Sequence, residues 1–169
     1  MCIRDSYICK TETDVLNAAN QLLCRHDEYM MEQFIAGTEL TVGLLEDRAL
    51  PVIKIETGRD WYDFKAKYTQ GQSNHNFEPG LPQAVVAKAQ AMAVEASRAL
   101  GCRDLGRVDI MVDAAHNCYL LEINTIPGFT PMSLLPDAAK HAGIGFPELV
   151  DRLVTVAMAR ANAPAAALV

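Results

Sequence analysis

Two apolar segments with charged residues at alternate positions constrain this chain most. Arg107-Val108-Asp109-Ile110-Met111-Val112 is followed a few residues later by Tyr119-Leu120-Leu121-Glu122-Ile123-Asn124. A period of two marks half-buried strands, because successive side chains point to opposite faces. The first strand then carries Arg107 and Asp109 on one face and Val108, Ile110 and Val112 on the other. In the second, Glu122 and Asn124 share a face while Leu121 and Ile123 turn away. A turn centred between Ala115 and His116 sets Asp109 opposite Glu122 and Arg107 opposite Asn124. Directly opposed residues have Cβ atoms ~4.5–5.5 Å apart, so two carboxylates there repel unless something positive lies between them. A hard divalent cation such as Mg²⁺ meets that demand, since it takes one or two carboxylates and completes its shell with water and phosphate oxygens. Asn124 adds a neutral oxygen, and Arg107 is a fixed cation able to hold an anionic group. The same spacing also fits a solvated hairpin face on which Arg107 screens Asp109. Spacing alone leaves both readings open.

The rest of the chain supplies a scaffold for such a hairpin. Apolar residues at helical spacing predict helices over 13–27 (capped by Thr13 or Asp14), 82–100, 136–141 and 147–160, the last with a stripe at Leu149, Leu153, Val156 and Ala157. Gly101 follows the second of these as a stop signal. Residues 29–35, 39–45 and 49–56 read as strands, bounded by Gly37, by Glu46-Asp47 and by Gly58. Consecutive strands and helices of this kind predict an α+β fold, an antiparallel sheet with helices packed on one face.

Composition narrows the class. The 169 residues are 50% hydrophobic and 21% charged, which is ordinary globular material and excludes disorder or a collagen-like chain. Apolar runs stay below the ~18 residues of a membrane span. A formal net charge of −6 argues against a duplex-binding surface, which needs clustered Lys and Arg. Cys2, Cys9, Cys24, Cys102 and Cys118 form no CxxC pair and read as free thiols of a reducing compartment. The start at residues 1–6 has no secretory layout, so a cytoplasmic location is expected.

Three further segments suggest ligand contacts. After the carboxylate strand, residues 124–136 hold Pro127, Gly128 and Pro131 and bring Ser133 near a helix start, where free N–H groups favour anions. Upstream, Glu32-Gln33-Phe34-Ile35 leads into Gly37-Thr38-Glu39, a strand end that can pair with a planar heterocycle beside a carboxylate suited to ribose hydroxyls. Residues 57–80 predict an irregular binding loop with Trp61, Tyr62, Phe64, Lys65, Lys67 and Tyr68. The four histidines show no metal-ligand spacing, and only His75 falls where a substrate would be near.

Taken together, Glu32…Gly37-Thr38-Glu39, Lys65-Ala66-Lys67-Tyr68, Gly106-Arg107-Val108-Asp109, Leu121-Glu122-Ile123-Asn124-Thr125-Ile126-Pro127-Gly128-Phe129-Thr130 and Ser133-Leu134 resemble the C-terminal part of the D-alanine–D-alanine ligases, members of the ATP-grasp family. The resemblance runs from about residue 29 to about residue 153. It implies a truncated ATP-grasp domain over 7–160, after a non-matching start at 1–6 and before an Ala-rich tail at 161–169. It also implies ATP-dependent ligation of two D-alanines through an acyl phosphate, for peptidoglycan synthesis. Asp109, Glu122 and Asn124 would then bind two Mg²⁺ (or Mn²⁺) ions. Arg107 and the Gly128 N–H would stabilise the transferred phosphoryl group and the tetrahedral intermediate, with Ser133 and Leu134 holding the carboxylate of the second D-alanine. Glu32, Gln33 and Ile35 would contact adenine, Glu39 the ribose, and Lys67 a phosphate, with Tyr68 beside the substrate. The family's first D-alanine site, two ATP-contacting lysines and glycine-rich phosphate loop have no match here, so the chain alone is expected to be inactive. The partners expected are ATP and D-alanine, in a full-length homodimer, with no nucleic acid or membrane. Two alternatives stay open: a non-catalytic nucleotide- or Mg-binding fragment, and an ATP-grasp ligase taking D-lactate or D-serine as second substrate.

Overall fold

The computed structural model describes residues 6–57 and 73–162. The chain divides into two units, one made of Met1–Ile35 with Thr57–Ser73 and the other of Ala36–Glu56 with Asn74–Val169.

In the first unit, helix α1 spans Glu12–Leu23. It begins earlier than the apolar periodicity suggests, because the cap is Thr11. Thr11 Oγ1 accepts from the Asp14 N–H at 3.1 Å, and Asp14 Oδ2 accepts from the Thr11 N–H at 2.9 Å, a reciprocal capping box that makes Asp14 the third helical residue. Residues 29–35 are not a strand: they run without ladder pairing, and Tyr29, Met30, Met31 and Phe34 are exposed. An apolar run becomes a strand only where a neighbour takes its N–H and C=O groups, and composition cannot reveal that neighbour.

The second unit holds the sheet. Strands β1 (Thr38–Leu45), β2 (Arg48–Thr57), β3 (Ser73–Asn76), β4 (Leu105–Val112) and β5 (Cys118–Asn124) lie in the order β3-β2-β1-β4-β5. The pairs β1–β2, β1–β4 and β4–β5 are antiparallel. Of the predicted loop over 57–80, residues 73–76 form the short strand β3, and residues 58–72 lie outside the described residues. Glu46 and Asp47 turn β1 into β2 with φ of 50° and 62°, the left-handed pair that a two-residue hairpin requires.

Helix α2 (Gln83–Ala99) lies over one face, where Val85, Ala89 and Ala93 pack on Leu40, Val42, Leu44, Val52, Val108, Ile110 and Val112. The small Ala89 and Ala93 let the helix backbone come close to the β-branched strand residues. The helix ends at Gly101, φ 65°, with the Cys102 N–H bonded to the Ser97 carbonyl at 2.9 Å, so the predicted glycine stop is a Schellman cap.

Helices α3 (Leu134–His141) and α4 (Phe146–Ala161) follow β5. Gly43, between the inward-facing Val42 and Leu44, points to the opposite side. A Cβ there would lie 3.0 Å from Leu50 and 3.6 Å from Leu135, so α3 meets the sheet on the face that α2 leaves uncovered. On α4, Leu149 is buried and Leu153 and Val156 are half-buried, but Ala157 is exposed. No helix among the described residues is long and apolar enough to cross a membrane.

The far end of α4 is tied back by Arg160, whose Nη1 and Nη2 donate to Asp104 at 2.6 and 2.5 Å. The guanidinium holds the Asp104 carboxyl below its ordinary value. A depressed carboxyl pKa stabilises the fold above the unfolded value and loses that contribution as pH falls through the folded one. Arg160→Ala is therefore expected to lower stability slightly at pH 7, since solvent screens so exposed a pair. In urea melts the difference from the parent chain should fade below about pH 4, where Asp104 protonates in the unfolded chain. A gap unchanged down to pH 2 would assign the loss to packing of the arginine stem.

Candidate active site

The hairpin of β4 and β5 sets Asp109 across from Glu122 and Arg107 across from Asn124, as the alternation requires. It does so by a less direct route. Val112 pairs with Cys118, Met111 with Tyr119 and Ile110 with Leu120, a register centred on Ala115, and the register then shifts by one residue between Asp109 and Ile110. Leu121 is the extra residue of this β-bulge, and it moves Glu122 into the place opposite Asp109. The hairpin end is fixed by Asp113, which accepts from the N–H groups of Ala115 and Asn117 and from the side chains of Asn117 and Tyr119 at 2.8–3.0 Å. These bonds, that from Asn117 foremost, keep the Asp113 carboxyl low and raise the Tyr119 phenol that donates to it.

Asp109 is buried and three donors converge on it. Arg107 gives Nε to Oδ1 at 3.0 Å and Nη2 to Oδ2 at 2.9 Å. Thr41 Oγ1, from the paired position on β1, donates to Oδ1 at 2.6 Å. Thr41 is 2% exposed and had no marker in the sequence, because its role depends on a residue 68 positions away. Arg107 thus screens Asp109, as one sequence reading holds, and Glu122 and Asn124 stand across the ladder in the register common to both readings. Glu39, two residues before Thr41, shares its side of β1 by alternation.

The donor chemistry suits a hard cation. A carboxylate has about four acceptor positions, and these bonds use three of those on Asp109, leaving room for one more contact. Asn124 Oδ1 accepts from the Ile126 N–H at 3.1 Å, which orients the amide oxygen and leaves a second lone pair. Among the described residues no three carboxylate, imidazole or thiolate groups gather as a metal cluster. Two carboxylates with an amide oxygen fit Mg²⁺, which relies on water and phosphate for the remainder of its shell.

The segment after β5 closes on itself at Ser133, the N-cap of α3. Its hydroxyl does not cap the helix; it meets the Thr130 N–H at 3.1 Å and Thr130 Oγ1 at 2.9 Å. Gly128 adjoins it, since a Cβ there would sit 3.2 Å from Ser133 Oγ. Leu134 is the first helical residue. Behind this turn, His75 on β3 lies 2.8 Å from Asp137 on α3, and Phe77 stacks on His141 with ring centroids 3.9 Å apart. His75 therefore stands by the helix that Ser133 begins.

The predicted nucleotide contacts divide differently. Glu32, Gln33 and Ile35 belong to the first unit, in the unpaired segment before Ala36. Lys67 and Tyr68 lie outside the described residues.

Residues 7–155 match the family described as D-ala D-ala ligase C-terminus. A D-alanine–D-alanine ligase of Pelobacter propionicus is 46% identical over 145 residues, which are 85% of this chain and 47% of that protein. The crystal structure of the Bacillus anthracis D-alanine–D-alanine ligase complexed with ATP superposes with a TM-score of 0.72 at 26% identity, covering 86% of this chain and 46% of that one. The VanG D-Ala:D-Ser ligase of Enterococcus faecalis gives 0.72 at 27% identity, over 86% of this chain and 43% of that one. The chain thus spans about half the length of the relatives it matches. With most of its sequence inside one family match and its sheet following the fold of solved ligases, the chain belongs to the D-Ala–D-Ala ligase C-terminus family of the ATP-grasp fold.

Proposed function

We propose that this chain supplies the C-terminal, ATP-grasp part of a cytoplasmic enzyme that joins two D-alanines at the expense of ATP for peptidoglycan synthesis. The observation that carries the reading is the bulged hairpin, which opposes Asp109 to Glu122 and Arg107 to Asn124. Its support is the family match around it. In this reading the γ-phosphoryl group passes to the carboxylate of the first D-alanine, giving an acyl phosphate and ADP. The amine of the second then attacks the acyl carbon, losing a proton, and inorganic phosphate leaves.

Catalysis of such a transfer is mainly positioning and charge neutralisation. Asp109, Glu122 and Asn124 are the residues that would hold Mg²⁺ or Mn²⁺, two ions in this reading, which when bound supply positive charge to the phosphate oxygens. Arg107 adds a fixed cation beside them, and the Gly128 N–H donates to the oxygen that becomes anionic in the tetrahedral intermediate. The Ser133 hydroxyl and the Leu134 N–H donate to the carboxylate of the second D-alanine. Glu32, with the backbone of Gln33 and Ile35, receives adenine; Glu39 accepts from the ribose hydroxyls. Lys67 reaches a phosphate and Tyr68 contacts substrate.

The VanG likeness supports a second reading, with D-serine in the acceptor place, because the same fold serves that ligase. The Pelobacter propionicus ligase, 46% identical over 85% of this chain, is named for D-alanine and supports the dipeptide of D-alanine. The test is phosphate release with Mg²⁺ and ATP when the chain is combined with the N-terminal half of the Pelobacter propionicus ligase. Turnover with D-alanine above that with D-serine or D-lactate is expected. Preference for D-serine or D-lactate would overturn the assignment of the acceptor.

A further inference from the structure

We propose that Thr130 is a positioning residue that turns the proton of Ser133 toward the acceptor carboxylate; the inference rests on the carboxylate role proposed for Ser133. A serine hydroxyl carries one proton and two lone pairs. The Thr130 N–H, 3.1 Å from Ser133 Oγ, occupies one of those lone pairs. Thr130 Oγ1 lies 2.9 Å from the same oxygen, and either hydroxyl can be the donor. If Ser133 donates, its only proton is spent inside the turn. If Thr130 donates, both lone pairs of Ser133 are filled and its proton points out of the turn.

A carboxylate offers acceptors only, so its arrival selects the second arrangement. A hydroxyl that already accepts two bonds is polarised into a stronger donor for the third. The turn is also built to stay in place. The Ser133 N–H donates to the Thr130 carbonyl at 2.9 Å, and Pro131 occupies the position of the turn that a fixed φ favours. Gly128 keeps the neighbourhood open, because any Cβ there would press on Ser133 Oγ at 3.2 Å. The helix start does not consume this hydroxyl, which makes no capping bond.

D-alanyl-D-alanine titrated into the full chain, followed through the amide resonances of Ser133 and Leu134, tests this. Thr130→Val is expected to weaken binding about fivefold, in the range of a lost cooperative hydrogen bond. Thr130→Ser, which keeps the hydroxyl, should restore it. The double variant Thr130→Val/Ser133→Ala should bind no more weakly than Ser133→Ala alone, because both substitutions remove one shared contact. Thr130 is exposed, and circular dichroism checks that Thr130→Val remains folded. Parent-like binding by Thr130→Val, or losses that add in the double variant, would overturn the role of Thr130 alone. Undiminished binding by Ser133→Ala, or no saturable shift in the parent chain, would overturn the carboxylate site on which it rests.

Discussion

Glu122→Gln in the assembled ligase is expected to lower kcat by at least about 10³-fold, or ~4 kcal/mol of transition-state stabilisation. The side chain is half-buried on β5 and faces Asp109 across the ladder. Gln keeps its size and its place in the strand while removing the negative charge that a divalent cation needs. Stability should change little, since the position is partly solvated and the residue lies on the outer strand of the sheet. Kinetics at increasing Mg²⁺ check the source of the loss: part of the activity should return as the ion concentration rises. Full activity at ordinary Mg²⁺ would remove Glu122 from the metal site.

Asp109→Asn should behave differently, with a loss of about 3 kcal/mol in unfolding free energy added to its loss of activity. Arg107 and Asp109 are both buried, 9% and 6% exposed, and their bonds run side by side. Removing the carboxylate charge leaves the guanidinium desolvated beside a neutral amide, and breaking a buried pair from one side is costly for that reason. Replacing both partners, as in Arg107→Met/Asp109→Leu, should cost less than the sum of the single losses because each single variant already removes the bonds between them. Urea midpoints of the single and double variants measure this. Additive losses would mean that the pair contributes through shape alone. Asp109 is thus also a keystone of β4, and the activity of Asp109→Asn is read beside its loss of stability.

The hairpin was legible in the sequence because two strands of period two leave few registers that bury Val108, Ile110 and Ile123 together. The opposed pairs were anticipated, but the turn centre was not. The loop closes around Ala115, held by Asp113, and the bulge at Leu121 recovers the pairing. A bulge adds one residue with no compositional mark, so alternation passes over it. Thr41 was hidden for a related reason, since its partner lies on a strand distant in sequence and only the β1–β4 register joins them. The Ser133 turn was visible in outline through Pro127, Gly128 and Pro131, but the use of its hydroxyl by Thr130 was not. Residues 29–35 show the opposite failure: strand-like composition without a partner strand forms no ladder. Apolar spacing places a helix over 13–27, whereas the helix runs over Glu12–Leu23: it starts earlier because Thr11 and Asp14 bond to each other across the cap, and it ends four residues sooner, at the Cys24 cap.

The central claim is that the hairpin carries a metal-dependent nucleotide site, and calorimetric titration of Mg·ADP into this chain tests it most directly, with Glu122→Gln as the control. Saturable binding by the parent chain that is lost on removing Mg²⁺, and at least about tenfold weaker in Glu122→Gln, is the result predicted. Binding of equal strength in the two proteins, or none by a chain shown to be folded, would contradict it.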